Sequence, residues 1–239
     1  MFKTYDIVKY SAILLVALCS AGCSETEQKE DTLIKLNHNT EEQYVEVRIG
    51  QELFTRYLYS SEFKKPVLYP ILTHNGNPVT RGYPIDPRPG ERADHPHHVG
   101  LWLNYGDVNG LDFWNNSDQI PPSEKEQYGR VVHRSVDKIE SGDNQGRLEV
   151  TAEWVNAAEG TPLLKEETTF IFRSSANKRI VDRITTLQAL GDTVSLHDNK
   201  EGMLGLRVAR ELEHPSDEPA LLIDASGQSS GRRRSIMKA

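Results

Sequence analysis

The feature that most constrains this chain is an alternation of apolar and polar residues with a period of two. It runs through residues 45–49 and 148–154, and less regularly through residues 164–172. Such alternation is typical of strands that bury one face and expose the other. Turn-forming clusters separate the runs, and Asn75-Gly76 is the strongest hairpin signal among them.

No segment after residue 22 shows a helical stripe over three turns. Many strands joined by short turns predict an all-β fold, an antiparallel β-sandwich, over residues 43–225. That length is enough for one domain with its own core.

The first residues are typical of an export signal. Lys3 and Lys9 precede a short apolar run, and small residues then lead to Cys23 in a lipobox-like Ser-Ala-Gly-Cys. We expect residues 1–22 to be a signal peptide, Cys23 to be lipidated and residues 23–42 to be a solvated polar tether. The alternative is an ordinary signal peptide with an incidental cysteine. The predicted location is an outer-membrane lipoprotein, secreted across the inner membrane and facing the periplasm.

Charge and cysteine content exclude several classes of protein. Cys19 lies in the predicted signal peptide and Cys23 directly follows it, which leaves the domain without an internal disulfide or a thiolate metal site. The net charge of −7 argues against nucleic acid as a partner. We expect membrane contact through the lipid anchor only.

Residues 226–239 differ from the rest of the chain. They read SGQSSGRRRSIMKA, switch abruptly to positive charge and show no strand or helix period. Two interpretations stay open: a disordered basic tail, or an aberrant end produced by a premature stop or a frame slip.

The candidate site lies in residues 80–126, which are rich in Pro, Gly, Asp and Asn. Long irregular loops of this kind are usually functional.

Three of the eight histidines fall within residues 95–98 of this loop. In an extended segment, His95 and His97 point the same way and His98 points to the opposite side. His95 and His97 are therefore a candidate metal pair, with a third ligand from Asp94, Glu91, Asp107 or His197. Alternatively, the histidines tie the loops together or bind a polar ligand directly.

Aromatic and acidic residues follow the histidines. Trp102 and Trp114 are interleaved with Asp107 and Asp112. Aromatic faces beside carboxylates suit a sugar, whose C–H faces stack on rings while its hydroxyls form hydrogen bonds. The alternative is that both tryptophans are core residues.

Arginines and a second polar block complete the candidates. Arg81 and Arg88 lie close to Asp86 and Asp94 in sequence, and they either brace the loop through ion pairs or clamp a hydroxyl-rich or anionic ligand. Residues 197–202 place Lys200 and Glu201, a potential acid–base group, before a short strand-like run that contains Arg207. The alternative for this block is a solvated turn.

Two segments resemble a known family. Residues 68–114, which include RADHPHHVGLWLNYGDVNGLDFW, and residues 198–209, DNKEGMLGLRVA, resemble the bacterial PmoA family over roughly residues 43–225. The resemblance implies a sandwich akin to the galactose-mutarotase supersandwich, in secreted or lipid-anchored proteins of polysaccharide-degrading bacteria. It implies a site at Arg81, Asp86, Asp94, His95, His97, His98, Trp102, Asp107, Asp112, Trp114, Lys200, Glu201 and Arg207. It supplies no catalytic mechanism, and the methane oxidation that the label suggests does not suit a chain without membrane helices beyond its leader. Family members look longer, so we expect a C-terminal truncation, and two possibilities stay open: an active copy, or a copy that the truncation has inactivated.

The sequence thus predicts a protein that acts on or binds a sugar or glycoside through a histidine-rich, aromatic-lined loop pocket. The reaction, whether epimerase, lyase or hydrolase, is not resolved. The alternatives are a non-catalytic carbohydrate-binding protein and a metal-dependent enzyme that uses His95 and His97. No cofactor is predicted, and a divalent metal is left open. The expected catalytic residues are His95, His97, His98 and Glu201, and the expected ligand-binding residues are Arg81, Asp86, Arg88, Asp94, Trp102, Asp107, Asp112, Trp114, Lys200 and Arg207.

Overall fold

The fold is almost entirely β-structure. The computed structural model describes residues 33–175, 177–213, 222–223, 225–227 and 229–230. Within these residues, no helix has the length and apolar character needed to cross a membrane. The predicted signal peptide and the predicted lipidation site Cys23 lie outside the described residues.

Six strands form the first sheet. They are β1 (Ile34–Asn39), β2 (Tyr44–Ile49), β3 (Glu52–Leu58), β4 (Val67–Leu68), β5 (Leu101–Leu103) and β10 (Leu204–Leu206). Their spatial order is β1-β2-β3-β4-β5-β10, and every pairing is antiparallel.

Four longer strands form the second sheet, which is an antiparallel meander. They are β6 (Gly129–Glu140), β7 (Gln145–Asn156), β8 (Pro162–Ser175) and β9 (Lys178–Ala189). A small ladder joins β11 (Leu222–Ile223) to β12 (Ser229–Ser230), and two short 3-10 helices span Pro122–Gln127 and Arg210–Leu212.

The two sheets pack face to face as a sandwich, which confirms the predicted fold class. Val45 and Val47 of the first sheet share one core cluster with Leu148, Phe170 and Phe172 of the second. The period-two prediction is confirmed in β2, β7 and β8, where buried and less buried residues alternate. Each large apolar side chain buried in this way stabilises the fold by roughly 1.5–3 kcal/mol.

The predicted tether of residues 23–42 is wrong in its second half. Ile34 and Leu36 of β1 are 0% and 6% exposed, and β1 pairs with β2 in the register Ile34↔Ile49. These two apolar residues alternate with Lys35 and Asn37, so a short amphipathic strand lies within a segment that is polar in composition. Within the described residues, the first strand of the sandwich therefore begins at Ile34, before the predicted boundary at residue 43.

The predicted tail contains some regular structure. Ser229 and Ser230 form β12 against β11, although residues 226–239 were expected to show none. Beyond residue 230, the predicted tail lies outside the described residues.

The long loop of residues 80–126 surrounds β5, which pairs with β4 on one side and β10 on the other. Two isolated bridges, Thr80↔Val208 and Val108↔Leu196, join the loop to the later segment. The two motif-bearing parts of the sequence therefore meet at one end of the first sheet.

Candidate functional site

A tight turn gathers the three histidines. The backbone N–H of His98 donates to the carbonyl oxygen of His95 at 2.9 Å, and His95 has a positive φ of 45°. The ring centroids of His95 and His98 lie 4.8 Å apart and are stacked, and those of His97 and His98 lie 4.3 Å apart. One ring nitrogen from each of the three residues lies within 4.8 Å of the others.

The expectation that His98 points away from its neighbours is therefore wrong. It assumed an extended segment, in which alternate side chains face opposite sides. The left-handed conformation at His95 folds the chain back by one turn, so all three imidazoles face the same region. The third member of the cluster is His98 rather than Asp94, Glu91, Asp107 or His197.

Arg81 holds this turn from the inside. Its side chain is 1% exposed, and its guanidinium donates to the carbonyl oxygens of Arg92 at 3.1 Å, His95 at 3.0 Å and His98 at 3.3 Å. It also donates to a carboxylate oxygen of Asp94 at 2.8 Å. Of the two roles considered for this arginine, the structure shows the brace, because its donors are directed into the loop.

Asp94 links the loop to the later segment. Its Oδ1 also accepts from Arg207 at 3.0 Å, and Arg207 pairs with Glu213 at 3.0 Å. Burial opposes ionisation of Asp94, but the charge of Arg207 and the hydrogen bond from Arg81 outweigh it and lower the pKa of this carboxyl. The predicted residues Arg81, Asp94 and Arg207 are thus brought together beneath the histidines.

Two buried tryptophans support the cluster from behind. Trp102 is 2% exposed and stacks on His98 with a centroid distance of 5.3 Å, and Trp114 is 6% exposed. The indole N–H of Trp114 donates to Nε2 of His98 at 3.2 Å. Both tryptophans are core residues that fix an imidazole, so their rings do not form an exposed platform for a sugar.

Lys65 is a site residue that the sequence did not reveal. Its side chain is 3% exposed, its Nζ donates to the carbonyl oxygen of His97 at 2.7 Å, and it lies 5.1 Å from the centroid of the Trp102 ring. The segment Lys64-Lys65-Pro66 has the appearance of an exposed basic turn. No local pattern shows that one of its two lysines is buried.

An open cleft of about 530 Å³ adjoins the cluster. His97 and Lys65 reach it, together with polar groups of Asn116, Ser117, Asp118 and Gln119 and apolar surface from Phe63, Val67, Pro84, Ile85, Pro96 and Val99. Such a mixture of apolar walls and a few convergent polar groups is typical of small-molecule sites.

Burial controls the charge of this region. Burial, together with the nearby charges of Lys65 and His95, lowers the pKa of His97 to about 4. Burial and the two neighbouring imidazoles lower the pKa of His98 to about 3. Burial likewise lowers the pKa of Lys65 to about 7, although Asp112 acts in the opposite direction. His97 and His98 are therefore neutral at pH 7.

Arg88 and Asp86 lie in the loop but apart from the imidazoles. Arg88 donates to Glu91 and to the carbonyl oxygen of Thr80, and Glu91 accepts from the backbone N–H of Gly82. Arg88 therefore braces the loop, as one of its two interpretations held. Asp86 is exposed and borders a separate depression beside Arg88.

The later aspartates also organise loops. Asp107 accepts from the backbone N–H of Gly110 at 2.9 Å and from His197 at 3.1 Å. Asp112 accepts from the backbone N–H groups of Trp114 and Asn115, which holds the backbone turn that carries the Trp114 side chain. Asp112 therefore contributes to the cluster through Trp114.

Lys200 and Glu201 of the later segment pair with each other. Their charged groups are 3.4 Å apart, and the backbone N–H of Glu201 is held by Asn199. Among the described residues, no hydrogen bond or ion pair joins either of them to the imidazoles. The acid–base role expected for Glu201 stays a prediction without a contact to support it.

The three imidazoles could hold a metal ion, because their ring nitrogens are close together. The Trp114 hydrogen bond opposes this, since it occupies the lone pair on Nε2 of His98 and leaves Nδ1 to carry the proton of the neutral ring. His95 and His97 then remain, fewer than the three ligands of a typical catalytic zinc site.

The fold and the site define an all-β sandwich protein with a histidine cluster beside an open cleft. The chain belongs to the family of unknown function DUF6807, whose sequence profile matches residues 44–235. That match includes both motif-bearing segments, residues 68–114 and 198–209. No curated protein and no solved structure matches the chain.

Proposed function

We propose that this protein binds a sugar or glycoside in the cleft beside His97 and that the imidazole of His97 transfers protons to or from the ligand. The observation that carries the proposal is the convergence of His95, His97 and His98 beside a cleft of mixed polarity. A neutral imidazole can accept a proton and the imidazolium that forms can return it, and one such acid–base group contributes about 10²–10⁴-fold to a rate.

The chemistry of the lining supports a hydroxyl-rich ligand. Ser117 and Gln119 can each donate and accept, and Asp118 accepts only, which suits sugar hydroxyls. Apolar contact with the C–H faces of a sugar comes from Val67, Ile85 and neighbouring residues. The buried tryptophans act indirectly, because they hold His98.

The roles of the histidines differ. His97 lines the cleft and is the candidate acid–base residue. The ring of His98 is fixed between Trp102 and Trp114, so it is a positioning residue. His95 is the most exposed of the three and stacks on His98, which places it at the outer side of the cluster.

A titration experiment tests the proposal. We expect isothermal titration with a panel of monosaccharides and oligosaccharides, including oxidised ones, to give saturable binding for at least one ligand. His97→Ala should abolish turnover and retain binding if the protein is an enzyme, whereas weakened binding without any turnover in the parent supports a non-catalytic carbohydrate-binding protein. His74→Ala, in the exposed hairpin turn, is the matched control. Absence of binding to every sugar contradicts the proposal.

The second candidate is a metal-dependent enzyme, which the closeness of the ring nitrogens favours and the Trp114 hydrogen bond opposes. Metal analysis of protein purified without chelators decides between the two. A stoichiometric ion lost in His95→Ala favours the metal enzyme, and a metal-free protein that binds sugar favours the acid–base proposal.

We also propose the finer identity that the sequence suggested. In this proposal the chain is a PmoA-family protein of the galactose-mutarotase type, exported and anchored in the outer membrane through lipidated Cys23. Mass spectrometry of the protein from its host membrane should find an N-terminus at Cys23 that carries acyl groups. An unmodified cysteine at that position contradicts the anchor without affecting the cleft.

A further inference from the structure

The second functional group of the cleft is the amine of Lys65. Its side chain is 3% exposed, yet it contributes to the lining of the same cleft as His97. Its Nζ has one hydrogen-bond acceptor, the carbonyl oxygen of His97 at 2.7 Å. Among the described residues, no carboxylate forms an ion pair with it.

The neighbouring lysine provides the contrast. Lys64 lines the same cleft, but its ammonium forms an ion pair with Asp118. An ion pair with a carboxylate favours the protonated amine, which is not a nucleophile. Two adjacent lysines thus reach one cleft in opposite electrostatic settings.

The surroundings of Lys65 favour the free amine. Its amine lies over the buried ring of Trp102, and buried Val67 and Val99 line the cleft nearby. Desolvation by these apolar groups penalises the ammonium form. A desolvated lysine in an apolar pocket is a recognised nucleophile for carbonyl compounds.

We propose that Lys65 forms a Schiff base with an aldehyde or ketone group of a ligand in this cleft. This inference takes the location of the cleft from the proposed function and narrows the ligand class to sugars or related polyols that present a free carbonyl group. Lys65 then holds the ligand covalently, and His97 serves as the proton carrier beside it.

The step balances without an added oxidant or reductant. The lone pair of neutral Nζ attacks the carbonyl carbon, a C–N bond forms, and the carbonyl π electrons move to oxygen. One amine proton is transferred to that oxygen, which gives a carbinolamine. Loss of the hydroxyl as water, with the second amine proton, gives the imine. The neutral imidazole of His97 is the group in the same cleft that can carry these protons.

Reductive trapping tests the inference. The full chain is incubated at pH 7 with a small excess of glycolaldehyde and cyanoborohydride, which reduces an imine to a stable secondary amine. Peptide mass spectrometry then measures modification at Lys65 and Lys64 over time. We expect Lys65 to be modified at least about tenfold faster than Lys64, because the amine of Lys65 is buried against apolar residues whereas that of Lys64 is paired with Asp118.

Two outcomes overturn the inference: modification of Lys64 with Lys65 unchanged, or equal rates at the two positions. Lys65→Arg should lose the fast modification and keep that of Lys64, whereas Lys64→Arg should keep the fast one. If Lys65→Arg does not fold, the ratio in the parent protein still decides. Methyl glycosides, which have no free carbonyl group, separate this inference from the proposed function. If methyl glycosides bind but Lys65 is not modified by the aldehyde, only the covalent step is contradicted. If Lys65 is modified fast but no sugar binds, only the proposed function is contradicted.

Discussion

Trp114 donates its indole N–H to Nε2 of His98 at 3.2 Å, inside a cluster where three imidazoles meet. This hydrogen bond fixes which nitrogen of His98 carries a proton. A metal ligand needs a free lone pair, and this hydrogen bond uses the one on Nε2 of His98. The bond therefore favours a cluster that transfers protons over one that binds a metal ion. The backbone that carries this indole is held by Asp112, which accepts a hydrogen bond from the backbone N–H of Trp114.

The first prediction concerns this bond. Trp114→Phe removes the donor and frees Nε2 of His98. We expect affinity for Zn²⁺ to rise up to about tenfold, because a hydrogen bond contributes about 0.5–1.5 kcal/mol and about 1.4 kcal/mol is a tenfold change in affinity. Isothermal titration with Zn²⁺ measures it. The double variant with His98→Ala should lose the gain. Equal Zn²⁺ affinity in the parent and in Trp114→Phe would show that the bond does not control access to the metal.

The second prediction concerns acid stability. The pKa of His98 in the folded protein is about 3, below its ordinary 6.5, so the neutral ring stabilises the fold fully above pH 6.5 and progressively less as the pH falls towards 3. The free energy of unfolding should fall when the pH is lowered from 7.5 to 5, and this fall should be smaller in His98→Asn by about 1 kcal/mol. The figure is kept this low because the His98 ring is partly exposed to solvent. Urea unfolding at both pH values measures it, with His74→Asn as the exposed control. An unchanged pH dependence contradicts the neutral, buried ring.

The third prediction concerns the internal brace. Arg81→Lys keeps the charge but cannot supply the fork of donors that reaches Asp94 and three carbonyl groups. We expect a loss of about 2–4 kcal/mol in the free energy of unfolding. The matched control is Arg134→Lys, whose exposed pair with Glu153 should contribute less than about 1 kcal/mol. Similar losses for the two variants in urea unfolding would show that the loop does not depend on Arg81.

The fourth prediction concerns the first strand. Ile34 is fully buried, so Ile34→Ala should cost about 2–4 kcal/mol of stability, whereas Lys35→Ala on the other face of β1 should have little effect. Thermal or urea unfolding distinguishes the two. If Ile34→Ala leaves the stability unchanged, the segment behaves as a tether and the assignment of β1 to the core is contradicted.

Much of the fold follows from local patterns in the sequence. The strands β2, β7 and β8 were predictable because alternation of side chains between two faces is a property of the strand itself. The strand β1 was missed because only Ile34 and Leu36 carry its pattern, and their polar surroundings have the composition of a linker.

The site depends on features that are not local. The histidine cluster was predictable as a group, but the direction of His98 depends on the positive φ of His95, an uncommon conformation for this residue. The burial of Lys65 and the inward direction of Arg81 depend on contacts with distant parts of the chain. Composition and spacing carry no signal for such contacts.

The most direct test of the account is binding of sugars to the parent protein and to His97→Ala, measured by isothermal titration calorimetry. The account predicts saturable binding of at least one sugar or glycoside to the parent, with either affinity or turnover lost in the variant. Absence of binding across the panel, or binding and turnover that His97→Ala leaves unchanged, would contradict it.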